Sequence, residues 1–129
     1  MRLLVVLVCM LPVSAPAQTV RAQLDCRPSG AELVYECLIS LARDGKPVTG
    51  AQVSVGADMP SMPMAHNLRP VKARAGPRPG DYLARLELEM HGEWAVKLRL
   101  SGPVREQLVL HYRFTESGAT MSDHRRRRP

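Results

Sequence analysis

The sequence predicts an all-β fold, a small antiparallel β-sandwich of about seven strands that follows a signal peptide. Three observations predict it. Apolar residues alternate with polar ones along most of the body, glycine-containing turn pairs separate the alternating runs, and a charged start with a short apolar run precedes them all. No stretch has the periodicity of a helix of any length.

Residues 1–17 have the features of a secretory signal peptide. Arg2 supplies the charged start, residues 3–13 the apolar run, and Ala15-Pro-Ala17 the small-residue cleavage site. We expect cleavage after Ala17, so that Gln18 begins the mature chain. The apolar run is shorter than the ~20 residues that a membrane-spanning helix needs, and no second run of that length follows. We therefore expect an exported protein with no stable membrane insertion after signal cleavage, in preference to the alternative of an uncleaved amino-terminal anchor.

Residues 18–116 are expected to form the β-sandwich, and residues 117–129 a disordered basic tail. Removing the signal leaves 112 of the 129 residues, which fits one domain. The formal net charge is +6; Arg2 leaves with the signal and Arg125–Arg128 supply four of the rest, so the body carries about +1. A nearly neutral body with few aromatic residues argues against a nucleic-acid interface. The tail is interpreted as a solvated end in preference to a contact with anionic lipid or a partner.

Alternation assigns the strands and their inward faces. We expect strands near residues 19–27, 33–42, 50–56, 69–75, 81–90, 94–101 and 106–115. In the run from Tyr82 to Met90 the even positions are apolar, which is the pattern of a half-buried strand. Asp44-Gly45 and Pro79-Gly80 are turn signals. Short antiparallel strands separated by such turns are typical of an immunoglobulin-like β-sandwich.

The first two strands form a hairpin whose register can be tested by its apolar pairs. Placing Cys26 opposite Cys37 also places Leu24 opposite Ile39, and all four side chains point inward. In a secreted chain this arrangement predicts a disulfide, worth about 2 to 3 kcal/mol for so short a loop. The alternative is a thiol metal or redox site, but the spacing of the cysteines fits no Cys-x-x-Cys motif.

The same argument predicts a second hairpin between the runs 81–90 and 94–101. A three-residue loop at 91–93 pairs Met90 with Trp94 and, further along the same apolar face, Leu86 with Leu98. We therefore expect Met90 to pack in the core beside Trp94.

A nine-residue window, Met59-Pro-Ser-Met62-Pro-Met64-Ala-His66-Asn67, carries the clearest indication of function. Its two prolines favour an extended loop or edge segment, in which Met62, Met64 and His66 project to one side. Thioether sulfur with imidazole nitrogen is a ligand set that suits copper, and Cu(I) in particular. The alternative is structural: such methionines seal the end of the sandwich or offer an adaptable surface to a partner.

The candidate ligands are ranked by this geometry. Met62, Met64 and His66 come first, Met59 is a fourth ligand in reserve, and Met90 and His91 rank lower. The expected metal is Cu(I) in preference to zinc, which prefers nitrogen, thiolate and carboxylate ligands. No nucleophile with a base at a plausible spacing occurs, so we expect no catalytic residues and no enzymatic activity.

Several segments resemble the YtkA-like, or FixH-like, bacterial domains. They are Asp44-Gly-Lys-Pro47, the Met59–Asn67 window, Pro79-Gly80-Asp-Tyr82 and Leu88-Glu-Met90-His-Gly92-Glu-Trp94, all within residues 32–102. The resemblance implies an immunoglobulin-like β-sandwich outside the cytoplasm, often in the company of copper-handling, efflux or oxidase-assembly proteins. It favours a periplasmic carrier or accessory protein in copper homeostasis. The alternative function is a metal-free interaction module that docks a membrane transporter or an oxidase-assembly complex.

Overall fold

The computed structural model of the protein describes residues 19–62 and 64–122. The predicted signal peptide and residues 123–129 of the predicted tail lie outside the described residues. The described chain forms ten strands: β1 Val20–Pro28, β2 Val34–Arg43, β3 Lys46–Pro47, β4 Gln52–Asp58, β5 Asn67–Lys72, β6 Arg74–Ala75, β7 Asp81–Glu87, β8 Gly92–Ser101, β9 Glu106–Thr115 and β10 Gly118–Met121. Within these residues no helix is long and apolar enough to cross a membrane.

The strands form two antiparallel five-stranded sheets. One has the order β1-β2-β7-β6, with β3 paired to β2, and the other has the order β10-β9-β8-β4-β5. Seven strands have six or more residues, and β3, β6 and β10 are shorter. The all-β sandwich predicted from alternation is thus confirmed.

The inward faces of the two sheets meet in a single apolar core. Its fully buried side chains include Tyr35, Ile39, Leu86, Trp94, Val96, Leu98, Leu100 and Phe114. The ring of Tyr35 on β2 packs edge-on against Phe114 on β9, with centroids 5.1 Å apart. Because β2 and β9 belong to different sheets, this contact joins the two layers of the sandwich.

The register predicted for the first hairpin is confirmed. β1 pairs with β2 so that Cys26 lies opposite Cys37 and Leu24 opposite Ile39. The two cysteines form a disulfide, with Cα atoms 4.0 Å apart, and both are buried. The bond therefore links the edge strand β1 covalently to its neighbour β2.

The predicted turn at Asp44-Gly45 is also confirmed. Both residues have positive φ, 55° and 74°, and they join the pair Arg43 and Lys46. Two consecutive positive φ angles are typical of a type I′ turn, whose twist matches that of the strands it connects.

The predicted hairpin between runs 81–90 and 94–101 is wrong. β7 pairs with β2 and β6, whereas β8 pairs with β4 and β9 in the other sheet. Leu86 and Leu98 were expected to be neighbours across a ladder, and they instead belong to opposite layers of the same core. The chain therefore crosses from one sheet to the other between β7 and β8.

Two other boundaries differ from expectation. The single strand predicted at 69–75 is divided into β5 and β6, which belong to different sheets. Strand β10 lies within the stretch expected to be tail, because it pairs with β9 from Gly118 opposite Thr115 to Met121 opposite Tyr112. Ordered structure thus continues past residue 116, and the part of the tail prediction that covers β10 is wrong.

Candidate functional site

The methionine loop, residues 59–66, connects β4 to β5 at one end of the sandwich. The strand pairing reaches Asp58 opposite Asn67, and the Met59 N–H then donates to the His66 carbonyl at 3.4 Å. Inside the loop the chain turns twice: Met62 N–H donates to Met59 O at 3.0 Å, and Ala65 N–H donates to Met62 O at 3.2 Å. The loop is thus compact, and the extended geometry predicted for it is wrong. Pro60 occupies the second position of the first turn, where proline's fixed φ is favoured.

Met59 lies in the core. The inward face of β4 consists of Val53, Val55 and Ala57, and the same alternation carries Met59 inward at only 4% exposure. Its terminal methyl lies close to Gly92 at the start of β8. The side chain held in reserve as a fourth ligand therefore packs against the sandwich.

Met62 and Met64 are exposed. Their relative exposures are 36% and 93%, although a methionine side chain is among the apolar groups that folding normally buries. Their side chains are accessible to a ligand or a partner. The loop thus places Met59 in the core and these two methionines at the surface.

His66 ends the loop and is half-buried. Its Nδ1 pairs with the Glu89 carboxylate, which comes from the segment between β7 and β8. A carboxylate oxygen can only accept, so the imidazole Nδ1 is the donor in this contact. In the neutral ring the lone pair is then on Nε2, which is the nitrogen left to bind a ligand.

The crossing segment, residues 88–91, forms the other side of this region. Leu88 N–H donates to Leu33 O at 2.9 Å, and the Trp94 indole N–H donates to Met90 O at 3.1 Å. Met90 is 36% exposed, so the prediction that it packs in the core is wrong. His91 lines a separate recess with Pro28, residues 30–35 and Glu116. The crossing segment thus adds one exposed thioether and one carboxylate to the end of the sandwich.

The donors gathered here are predominantly soft. Among the described residues, no three His, Cys, Asp or Glu side chains are grouped so that they could hold a metal ion. What the two segments bring to one end of the sandwich is one imidazole supported by a carboxylate, together with the exposed thioethers of Met62, Met64 and Met90. Such a set suits a soft ion far better than Mg²⁺ or Ca²⁺, which take oxygen ligands.

Comparison with known proteins identifies the domain. The model of the YtkA-like family matches residues 15–99, about two thirds of the chain. The chain belongs to the YtkA-like family. No curated protein and no solved structure gives a significant match. The resemblance to YtkA-like domains is therefore confirmed, and this YtkA-like protein carries an accessory domain of the type found outside the cytoplasm.

Sequence reasoning missed Glu89. In the predicted strand it was one of several outward charges in alternation with leucines, and nothing local distinguished it from Glu87. The partner of Glu89 is 23 residues away, on a loop of the other sheet. Its place next to Met90-His91, within a segment that resembles the family, was the one available signal.

Proposed function

We propose that this YtkA-like domain binds Cu(I) in the periplasm through Met62, Met64 and His66, as a carrier or accessory protein in copper homeostasis. The observation that carries the proposal is the pairing of His66 Nδ1 with Glu89. Metal-ligating histidines almost always donate their second ring N–H to a carboxylate, a carbonyl or water, and this contact directs Nε2 to a ligand. The histidine adjoins a loop with two exposed thioethers, which are ligands that Cu(I) favours.

The distribution of exposed methionines supports the same site. The large hydrophobic side chains exposed in the described part of the chain are Met62, Met64, Met90, Val109 and Met121. Three of these five belong to the methionine loop and the crossing segment. Exposed apolar groups that cluster on one surface are typical of interaction and ligand-binding sites.

Met90 replaces Met59 as the additional donor in this proposal. Met59 is buried and fixed in the core, whereas Met90 is exposed and directly follows the glutamate that holds His66. Recruiting Met59 would open the end of the sandwich. Met90 has an exposed, flexible side chain, which can reorient without disturbing the core.

Location outside the cytoplasm fits the donor chemistry. The Cys26–Cys37 disulfide is typical of an oxidising compartment, where free thiols would be lost to pairing. Thioethers do not pair in this way, so a methionine and histidine site retains its ligands there. The partner proposed is a membrane copper transporter, an efflux protein or an oxidase-assembly protein that receives the ion by ligand exchange.

A second candidate function rests on the same exposed methionines. Methionine side chains form adaptable surfaces that accommodate different partners, so the loop is also suited to docking a membrane transporter or an oxidase-assembly complex without metal. The two functions differ in whether the isolated domain binds Cu(I).

Titration of the mature, disulfide-intact protein with Cu(I) against a competing chelator tests the proposal. The wild type should bind one Cu(I). Removing a residue that only supports a metal ligand lowers metal affinity about 10- to 100-fold. The Met62→Ala/Met64→Ala/His66→Ala variant lacks the proposed ligands themselves, so its affinity for Cu(I) should fall by more than that. Met121→Ala is the matched control, because Met121 is 64% exposed on β10, outside both segments. Absence of tight binding in the wild type, or equal affinity in the triple variant, would favour the metal-free docking function.

A further inference from the structure

The contact between His66 and Glu89 joins two segments that belong to different sheets. His66 ends the methionine loop between β4 and β5 of one sheet, and Glu89 follows β7 of the other. The pairing is therefore a tertiary contact, made only when the sandwich has closed. It does not follow from the sequence spacing of the methionine loop.

Hydrogen bonds and buried side chains fix the backbone on both sides of this contact. On one side the His66 carbonyl accepts the Met59 N–H, and the Met59 side chain is buried. On the other side Trp94, which is 1% exposed, holds the carbonyl of the residue after Glu89. A binding group held from two sides in this way keeps its direction before the ligand arrives, which is what a preorganised site requires.

The chemistry of the contact selects one form of the imidazole. A neutral histidine carries its proton on either ring nitrogen, and only one of the two forms leaves Nε2 as an acceptor. With the carboxylate of Glu89 on Nδ1, the proton stays on Nδ1 and Nε2 keeps its lone pair. Without this partner, the ring is free to turn and to change tautomer.

We propose that Glu89 is the positioning residue of the site: it fixes the tautomer and the direction of His66, so that Nε2 faces the ligand before any ligand binds. The use of this arrangement for Cu(I) rests on the proposed function. The arrangement itself is a property of the metal-free protein and is tested there.

The test is the tautomer of His66 in the metal-free, ¹⁵N-labelled mature protein, measured by long-range ¹H–¹⁵N correlation at a pH where the ring is neutral. The wild type should carry the proton on Nδ1. Glu89→Ala should move it mainly to Nε2, the form that free histidine prefers in water, whereas Glu89→Gln should retain Nδ1–H because its amide oxygen still accepts. Glu87→Ala is the matched control, since Glu87 is an exposed glutamate two residues away that pairs with Arg85.

Cu(I) affinity gives the second measurement. Glu89→Ala should bind Cu(I) about 10- to 100-fold more weakly than the wild type, and Glu89→Gln should recover part of that loss. A wild-type His66 with its proton on Nε2, or a tautomer unchanged by Glu89→Ala, would overturn the role of Glu89 even if the protein binds copper tightly. If the tautomer shifts as expected and no Cu(I) binds, the positioning role holds and the proposed function fails.

Discussion

Replacing Met59 by alanine tests whether its side chain belongs to the core or to the metal site. Met59 is 4% exposed, and its methyl lies against Gly92. Truncating a buried methionine costs about 2 to 5 kcal/mol, the sum of the lost transfer free energy and the cavity that remains. Because Met59 lies at the end of β4, where the loop can settle into the gap, we expect the lower part of this range, about 2 to 3 kcal/mol.

This loss is large enough to measure in two ways. For a domain of ~100 residues, each kcal/mol shifts Tm by about 4 to 8 °C, so Met59→Ala should lower it by roughly 10 to 20 °C. Urea unfolding of the disulfide-intact protein, followed by circular dichroism, should show a lower midpoint with an unchanged m value. Met59→Leu keeps the volume and removes the sulfur, so its free energy of unfolding should fall by less than about 1.5 kcal/mol.

Cu(I) affinity separates the two roles of Met59. At temperatures where the variants are folded, Met59→Leu should bind Cu(I) as the wild type does, because the proposed ligands are unchanged. A stable Met59→Leu variant with weakened Cu(I) binding would refute the assignment of Met59 to the core alone. So would a Met59→Ala variant that loses less than about 0.5 kcal/mol, the range of ordinary surface substitutions.

Three further predictions concern stability. Replacing both Cys26 and Cys37 by alanine should lower the free energy of unfolding by about 3 kcal/mol in urea titrations, because the closed loop no longer restricts the unfolded chain; a loss below about 1 kcal/mol would contradict this. Gly80→Ala should cost about 1 to 3 kcal/mol, because its φ is 83° and the added Cβ would lie 2.8 Å from a backbone oxygen of β2; Gly30→Ala, with positive φ and open space, should cost less. Burial, and then the charge of a nearby glutamate, raises the pKa of Tyr35 above its ordinary 10.0. The unfolded chain therefore loses this proton first, and stability should fall as the pH rises through and above about 10. Tyr35→Phe should remove that part of the alkaline loss, and an identical pH profile in the variant would count against it.

The strands and their buried faces were predictable because alternation is a local property. Each run of apolar residues at period two fixes which side chains point inward, whatever strand lies beside it. The Cys26–Cys37 register was predictable for a further reason, since the short connection between β1 and β2 favours their pairing with each other as a hairpin. Turn residues such as Asp44-Gly45 add their own constraint, because few residues adopt two positive φ angles in succession.

The strands that pair with β7 and β8 could not be predicted from alternation in the same way. Pairing them as a hairpin places Leu86 and Leu98 on one apolar face, and placing them in opposite sheets also buries both in one core. Apolar matching therefore satisfied both arrangements equally. As a result, Met90 was predicted to be buried and Met59 to be available as a ligand, whereas the structure has the opposite. The alternation of β4 carries Met59 inward, and the crossing between sheets turns Met90 outward.

The sequence by itself determined the type of donors at the candidate site, and only the tertiary structure decided which of them meet. The two thioethers and the imidazole in one short loop could be identified from the sequence, because ligand chemistry depends on residue type. The carboxylate of Glu89 reaches His66 only through the closure of two sheets, over a separation of 23 residues. No local period encodes such a contact, since it depends on how the chain crosses the core.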